Sequence, residues 1–161
     1  MQRVSAMLAA LCIWACSGEP ERGAPASTGH PKASETTAHH PSTIADRIGA
    51  LPAPYDRGDY ENGRRLFSQC SACHTVSPGG KGGVGPGLHG VIGRTAGQAA
   101  GYPGFTPELR ASAIVWDPAT LDAWIANPRD LVPQSSMIFP GIRAPEDRRD
   151  LIAYLAVATA D

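Results

Sequence analysis

Two segments in the C-terminal half of the chain carry apolar residues at helical spacing. The first starts at Asp117 and Pro118, a capping residue before a proline, and ends at Asn127 and Pro128; its apolar positions are Leu121, Trp124 and Ile125. The second segment starts at Pro145, and acidic residues follow in its first turn. Its apolar stripe consists of Leu151, Tyr154, Leu155 and Ala158. A shorter helix is predicted over residues 59–69. Because no segment carries a hairpin pattern, the sequence predicts an all-α domain with long loops.

The N-terminal third of the chain has a different composition. Residues 1–15 contain an apolar run that is shorter than the about 20 residues of a membrane-spanning helix and is typical of an export signal. The four residues ending at Cys16 resemble a bacterial lipobox, although Trp14 stands where a small residue is usual. Lipidation of Cys16 is therefore the prediction, with cleavage nearby or retention as an uncleaved anchor as alternatives. Residues 16–55 are rich in Pro, Ser, Thr and Ala, which predicts a disordered linker before a domain at 56–161.

The strongest chemical signal is a C-x-x-C-H sequence formed by Cys70, Cys73 and His74. Two thiols at this spacing each add to a vinyl group of a porphyrin, and the adjoining imidazole becomes the proximal iron ligand. A dithiol redox pair or half of a zinc site are the alternatives, but Cys12 lies in the predicted signal and Cys16 is predicted to carry lipid, so neither is left for a second pair. Residues 76–104 are crowded with glycine and lack an apolar core of their own, which a haem would supply. The sequence therefore predicts one covalently attached haem c.

Several further motifs follow in a fixed order: Gly63-x-x-x-Phe67, Gly85-Pro86-Gly87-Leu88-His89-Gly90, Gly93-Arg94, Trp116, Asn127-Pro128, Pro133-x-x-x-Met137 and Leu151-Ile152-Ala153-Tyr154-Leu155. With the haem motif, they make residues from about 58 to 159 resemble the class I monohaem cytochromes c. The resemblance implies the cytochrome c fold, with three to five short helices and long loops around one haem. It also implies that Gly63 lets the last helix cross close to the first and place Tyr154 against Phe67.

The same resemblance assigns the iron ligands. Met137 is implied as the sixth ligand opposite His74, and His/Met ligation raises the reduction potential because a thioether favours Fe(II). His89 is the alternative to Met137. The carbonyl of Pro86 is implied to accept a hydrogen bond from the second ring nitrogen of His74, where a plain turn proline is the alternative.

Four residues are implied to surround the haem propionates: Arg94, Tyr102, Trp116 and Ser135. An indole N–H and a guanidinium are donors that suit a buried carboxylate. A plain core role is the alternative for Trp116. Phe105 stands where the family often has tyrosine, which removes one hydrogen bond to a propionate.

With both axial positions filled, the iron has no open site, so the resemblance implies a one-electron carrier without catalytic residues. The alternatives are a haem enzyme, such as a peroxidase or a small-oxidant reductase with a labile methionine ligand, and a sensor. The implied setting is the periplasm of a Gram-negative bacterium, where a lipid-tethered monomer meets a quinol-oxidising complex, a terminal oxidase, a photosynthetic centre or a periplasmic reductase.

Charge bears on the choice of partners. The whole chain has a formal net charge of −1, which gives no indication of a nucleic-acid partner. Residues 56–161 contain one lysine, nine arginines and eleven acidic residues, so they also carry a net charge of −1. We therefore expect little electrostatic steering toward partners, and tethering at a membrane would replace it.

Overall fold

The computed structural model describes residues 43–160, which form an all-α fold. The six α-helices are α1 (Ile44–Gly49), α2 (Tyr60–Leu66), α3 (Pro107–Ala111), α4 (Pro118–Ala126), α5 (Pro128–Leu131) and α6 (Pro145–Ala158). Single 3-10 turns occupy Tyr55–Arg57 and Phe67–Gln69. Within the described residues, pairing between extended segments is limited to one bridge between Thr95 and Val115. The all-α prediction is confirmed, with six helices where three to five were expected.

The helix boundaries follow the local capping signals. Asp117 caps α4 by accepting a hydrogen bond from Thr120 N (2.7 Å), and the Thr120 hydroxyl accepts one from Asp117 N (2.8 Å). Asn127 leaves the helical region, with φ −162° and ψ 106°, and its side chain caps α5. Asp59 caps α2 in the same way, through Asn62 N at 2.9 Å. The helix starts and ends predicted at these residues are confirmed.

The folded part begins earlier than the predicted boundary at residue 56. Thr43 and Asp46 form a reciprocal capping box at the start of α1, with distances of 3.1 and 3.2 Å. α1 buries Ile48 and packs against α6. Residues 43–55 therefore belong to the folded domain and not to the linker expected over 16–55. Residues 1–42, with the signal and Cys16, lie outside the described residues.

The helices α2 and α6 cross in direct backbone contact at Gly63. A Cβ placed on Gly63 would lie 2.7 Å from the Tyr154 Cβ and would overlap the carbonyl oxygen of Asp150. The Tyr154 ring then packs on Phe67 and Tyr60, with centroid distances of 5.4 and 5.3 Å. The expected contact between Tyr154 and Phe67 is present, and it holds the two ends of the domain together.

A buried carboxylate also stabilises the crossing of α2 and α6. Asp150 on α6 is 4% exposed and accepts hydrogen bonds from Asp59 N (3.0 Å), Asn62 Nδ2 (2.9 Å) and the Arg149 guanidinium (2.7 Å). Burial alone would raise the pKa of Asp150, but these hydrogen bonds outweigh it and hold the pKa below the ordinary aspartate value. The start of α2 is thereby joined to α6 through a charged group.

A second polar contact holds the segment before α6. Arg148 Nε donates to Asp122 Oδ1 on α4 (3.1 Å), and Arg148 Nη1 donates to the carbonyls of Ile142 and Arg143 (3.0 and 2.8 Å). α4 and α6 therefore fix the path of the loop that carries Met137. Among residues 43–160, no helix combines the length and the hydrophobicity needed to cross a bilayer.

We predict that Gly63→Ala lowers the free energy of unfolding of the haem-loaded protein by about 1–3 kcal/mol, because the added methyl group must separate α2 from α6. Denaturant titration measures this change. The matched control is Gly49→Ala, since a Cβ there meets no atom within 4 Å, and it should leave stability unchanged or raise it by up to about 1 kcal/mol. Equal effects of the two substitutions would contradict the close crossing.

We also predict a pH-dependent difference between the wild type and Asp150→Asn. Because the folded pKa of Asp150 is depressed, its carboxylate contributes stability above the unfolded value of about 3.9, and this is lost as the pH falls through the folded pKa. The variant should be less stable at pH 7, and the difference should shrink below about pH 4. Glu146→Gln, at an exposed carboxylate on α6, should show a much smaller difference. A difference for Asp150→Asn that is constant between pH 7 and pH 2 would refute the assignment.

Candidate functional site

A cavity of about 300 Å³ lies between the helices and the long loops. The sequence-predicted contact residues within the described range all line it: Cys70, Cys73, His74, Pro86, Arg94, Tyr102, Trp116, Ser135 and Met137. Much of the remaining wall is apolar and includes Leu121 from α4 and Leu151 and Leu155 from α6. His89, the alternative iron ligand, does not line this cavity.

The two cysteines and the histidine follow the 3-10 turn Phe67–Gln69, which itself follows α2, and lie on one tight turn. Cys70 N donates to the Phe67 carbonyl (2.8 Å), and the Cys70 carbonyl accepts from Cys73 N (3.0 Å) and His74 N (2.9 Å). Burial, with a smaller contribution from Cys73, raises the pKa of the Cys70 thiol to about 11. Both thiols and the imidazole are thus presented to the cavity together. In residues 43–160, no cluster of three His, Cys, Asp or Glu side chains could hold a metal ion.

The His74 ring is held by the backbone of the loop that follows it. Its Nδ1 lies 2.8 Å from the Pro86 carbonyl oxygen, and because a carbonyl only accepts, Nδ1 carries the proton and Nε2 is the basic nitrogen. Gly85 permits this approach, since a Cβ there would lie 2.8 Å from Nδ1. The hydrogen bonds from Gly83 N and Gly85 N to the Cys73 carbonyl (3.2 and 3.0 Å) fix the loop against the haem motif.

Two serines fix the loop that carries Met137. The Ser135 hydroxyl accepts a hydrogen bond from Met137 N (3.1 Å), and the Ser136 hydroxyl donates to the Gly104 carbonyl (3.3 Å). The second contact joins this loop to the glycine-rich segment on the other side of the cavity mouth. Sequence reasoning did not single out Ser136, because its acceptor is a backbone atom 32 residues away.

Arg94 and Trp116 offer donors at the cavity wall. Arg94 donates to the carbonyls of His89 (2.9 Å) and Gly87 (3.1 Å), and burial lowers the pKa of its guanidinium. Because a guanidinium has more N–H donors than these two hydrogen bonds use, Arg94 can donate to a further acceptor. Trp116 is 8% exposed and lines the cavity, and its indole N–H is a hydrogen-bond donor. Both side chains therefore suit an anionic group in the cavity.

Tyr102 differs from its expected role. Its hydroxyl donates to the Val84 carbonyl at 2.7 Å, and a single phenolic proton cannot also be donated to a propionate. The ring lines the cavity and packs edge-on against Phe105, with a centroid distance of 4.8 Å. In this structure Tyr102 thus links two parts of the long loop between Gln69 and α3, and contributes its ring, not its hydroxyl, to the cavity wall.

The donor set fits a c-type haem. Such a cofactor requires two thiols for thioether bonds, an imidazole with a free Nε2, a thioether sulfur and apolar walls. The cavity offers all of these groups. The part-buried Arg94, which has no acidic partner among the described residues, adds a counter-charge for a carboxylate. The cytochrome c family model matches residues 60–158. The chain belongs to the cytochrome c family.

Individual relatives agree with this assignment. Cytochrome c2 from Rhodomicrobium vannielii is 42% identical over 102 residues, which are 63% of this chain and 81% of the relative. Cytochrome c from Kluyveromyces lactis is 39% identical over 109 residues, covering 67% of this chain and 98% of the relative. The solved structure of cytochrome cH from Methylobacterium extorquens is 45% identical, with a TM-score of 0.57, over 61% of this chain and 97% of that one.

Family membership settles the cofactor and the class of activity. The protein binds one c-type haem covalently through Cys70 and Cys73. It is an electron carrier and not an enzyme. The predictions of a class I monohaem cytochrome c, of its fold and of its cofactor are therefore confirmed.

We predict that Gly85→Ala displaces the His74 ring and breaks its hydrogen bond to Pro86, because the new methyl group would overlap the imidazole. The unfolding free energy of the haem-loaded protein should fall by about 1–3 kcal/mol, and the proton resonances of the His74 ring should shift. Gly83→Ala is the control, since its Cβ meets only backbone oxygens at 3.9 Å. Unchanged His74 resonances in Gly85→Ala would contradict the geometry.

Proposed function

We propose that this protein is a one-electron carrier whose haem iron is held by His74 and Met137. The observation that carries the proposal is that both side chains line the same cavity as the two haem-attaching cysteines, whereas His89 does not. The bound haem supplies one chemical change, the transfer of a single electron at iron. The protein residues hold the cofactor, set its potential and keep small molecules away.

His74 is supported as the proximal ligand by its fixed tautomer. The Pro86 carbonyl accepts the Nδ1 proton at 2.8 Å, so Nε2 is free to bind the metal. A hydrogen bond of this kind orients the ring and makes the imidazole a stronger donor.

Met137 is supported as the distal ligand by the restraints on its loop. Ser135 and Ser136 hold the backbone on both sides of the cavity mouth, and Met137 packs against the apolar core. A thioether favours Fe(II) and raises the potential relative to a nitrogen or oxygen ligand. Met137 in that role would also keep oxygen and peroxide from the iron, in keeping with electron transfer.

The propionates are assigned to Arg94, Trp116 and Ser135. Arg94 has remaining N–H donors and a burial-lowered pKa, so an anionic neighbour would offset the cost of burying its charge. Ser135 is 7% exposed and keeps its hydroxyl proton while it accepts from Met137 N. Tyr102 contributes its ring to the wall of this site and links two parts of one long loop through Val84.

The cellular setting is proposed from the N-terminal sequence. The export signal over residues 1–15, lipidation of Cys16 and the linker after it would place a monomeric domain in the bacterial periplasm, close to a membrane. Its partners would be redox proteins such as a quinol-oxidising complex, a terminal oxidase, a photosynthetic centre or a periplasmic reductase. Mass spectrometry of the mature N-terminus tests the lipid assignment.

We predict that Met137→Ala removes the methionine–iron charge-transfer band from the visible spectrum of the ferric protein. It should also lower the reduction potential by on the order of 0.1 V, within the about 0.8 V that axial ligands span. His89→Ala is the control and should retain the band, because His89 lies outside the cavity lining. Loss of the band in His89→Ala with retention in Met137→Ala would overturn the ligand assignment.

A further inference from the structure

Arg110, on α3, contacts two residues of the cavity wall without lining the cavity itself. Its Nη1 donates to the Gly97 carbonyl at 3.2 Å, and its guanidinium carbon lies 5.3 Å from the centroid of the Phe105 ring. Gly97 and Phe105 both line the haem cavity and belong to the long loop before α3. One side chain therefore joins two separate parts of this wall.

The backbone of α3 approaches Gly97 closely. A Cβ placed on Gly97 would lie 2.9 Å from the Arg110 Cγ and 3.0 Å from its Cα, and the φ angle of Gly97 is +75°. The segment that leads to Gly97 is also fixed to the segment after α3, because Trp116 N donates to the Arg94 carbonyl at 2.9 Å. Arg110 is thereby placed beside the wall that carries Arg94 and Trp116, two of the residues assigned to the propionates.

The second contact of Arg110 adjoins the loop that carries the third assigned residue. Gly104 precedes Phe105 and accepts a hydrogen bond at its carbonyl from the Ser136 hydroxyl (3.3 Å), and Ser136 follows Ser135. The two contacts of Arg110 thus reach both parts of the structure that hold the proposed propionate site.

The charge of Arg110 is not neutralised by a neighbouring carboxylate. Arg110 is exposed and has no acidic partner among the described residues. Glu108 is also on α3, but residues two positions apart on a helix do not face each other. A guanidinium over an aromatic ring is favourable without an anion. Because Phe105 has no hydroxyl, this charge is what Arg110 and Phe105 together offer to an anionic group in the cavity.

We propose that Arg110 is a positioning residue for electron transfer, which holds Gly97 and Phe105 against the haem and whose charge favours the reduced iron. The proposal rests on the proposed function, since it needs the propionates on this side of the cavity. Reduction adds one negative charge to the haem, so a nearby cation stabilises the ferrous state more than the ferric state. Removal of the cation therefore shifts the equilibrium toward ferric iron.

The test is a redox titration of the haem-loaded protein with Arg110→Gln. Glutamine removes the charge and keeps an amide N–H for the Gly97 carbonyl. The equilibrium constant for reduction should fall about threefold at low salt, which is about 30 mV at 59 mV per tenfold change. The difference should shrink to less than about 1.5-fold at 1 M salt, where charges are screened within about 3 Å. An unchanged constant at low salt, or a difference that salt does not reduce, would overturn the proposal.

Two further substitutions separate charge from shape. Arg110→Lys keeps the charge but loses the planar group over Phe105, so its equilibrium constant should stay within about 1.5-fold of the wild type. The proton resonances of the Phe105 ring should shift in both Arg110 variants. A fall in Arg110→Lys as large as in Arg110→Gln, or Phe105 resonances that move in neither, would contradict the proposal.

Arg57→Gln is the matched control for the loss of an exposed arginine. Arg57 lies in the 3-10 turn Tyr55–Arg57 and does not line the cavity. Its replacement should change the equilibrium constant by less than about 1.3-fold. Equal effects of Arg57→Gln and Arg110→Gln would show a general effect of net charge and would overturn the assignment to Arg110.

The methionine–iron band of the ferric protein separates this proposal from the proposed function. Absence of the band from the wild type would refute the proposed function. A wild type that shows the band, with an equilibrium constant that Arg110→Gln does not change, would refute the role of Arg110 alone. Loss of the band in Arg110→Gln would show that Arg110 keeps Met137 on the iron, and this result would also overturn the proposed charge effect.

Discussion

The rest of the domain depends on the direct backbone crossing of α2 and α6 at Gly63. On one side of the crossing, Asp150 and Tyr154 bind α2 through a charged hydrogen-bond network and a ring contact. On the other side of α6, Leu151 and Leu155 form cavity wall. Because α2 leads through the short 3-10 turn Phe67–Gln69 into the haem motif, this crossing fixes the position of the cofactor attachment site relative to that wall.

The loops then complete the site with few regular hydrogen bonds of their own. Hydrogen bonds from side chains to backbone carbonyls hold the loops: the His74 imidazole to Pro86, the Tyr102 hydroxyl to Val84 and the Ser136 hydroxyl to Gly104. The covalent haem serves as the core that these glycine-rich segments lack. If His74 and Met137 held the iron as proposed, the bound haem would change its charge with little rearrangement, which is the physical requirement for an electron carrier.

The sequence predicted those features that depend on local chemistry. The caps at Asp59 and Asp117 and the helix end at Asn127 were correct because each is decided within four residues. α1 was missed because the average composition of residues 16–55 concealed the capping box of Thr43 and Asp46. The acceptor of the Tyr102 hydroxyl was not predictable either, since the Val84 carbonyl lies 18 residues away and any residue type supplies a carbonyl.

The central claim is that His74 and Met137 close the two axial sides of one haem iron. X-ray absorption at the iron edge of the wild-type protein, in both oxidation states, tests it most directly. We expect a sulfur neighbour among nitrogen neighbours in the ferric and in the ferrous protein, with little change in iron–ligand distances between them. A shell of nitrogen and oxygen alone, or a sulfur neighbour that disappears on oxidation, would contradict it.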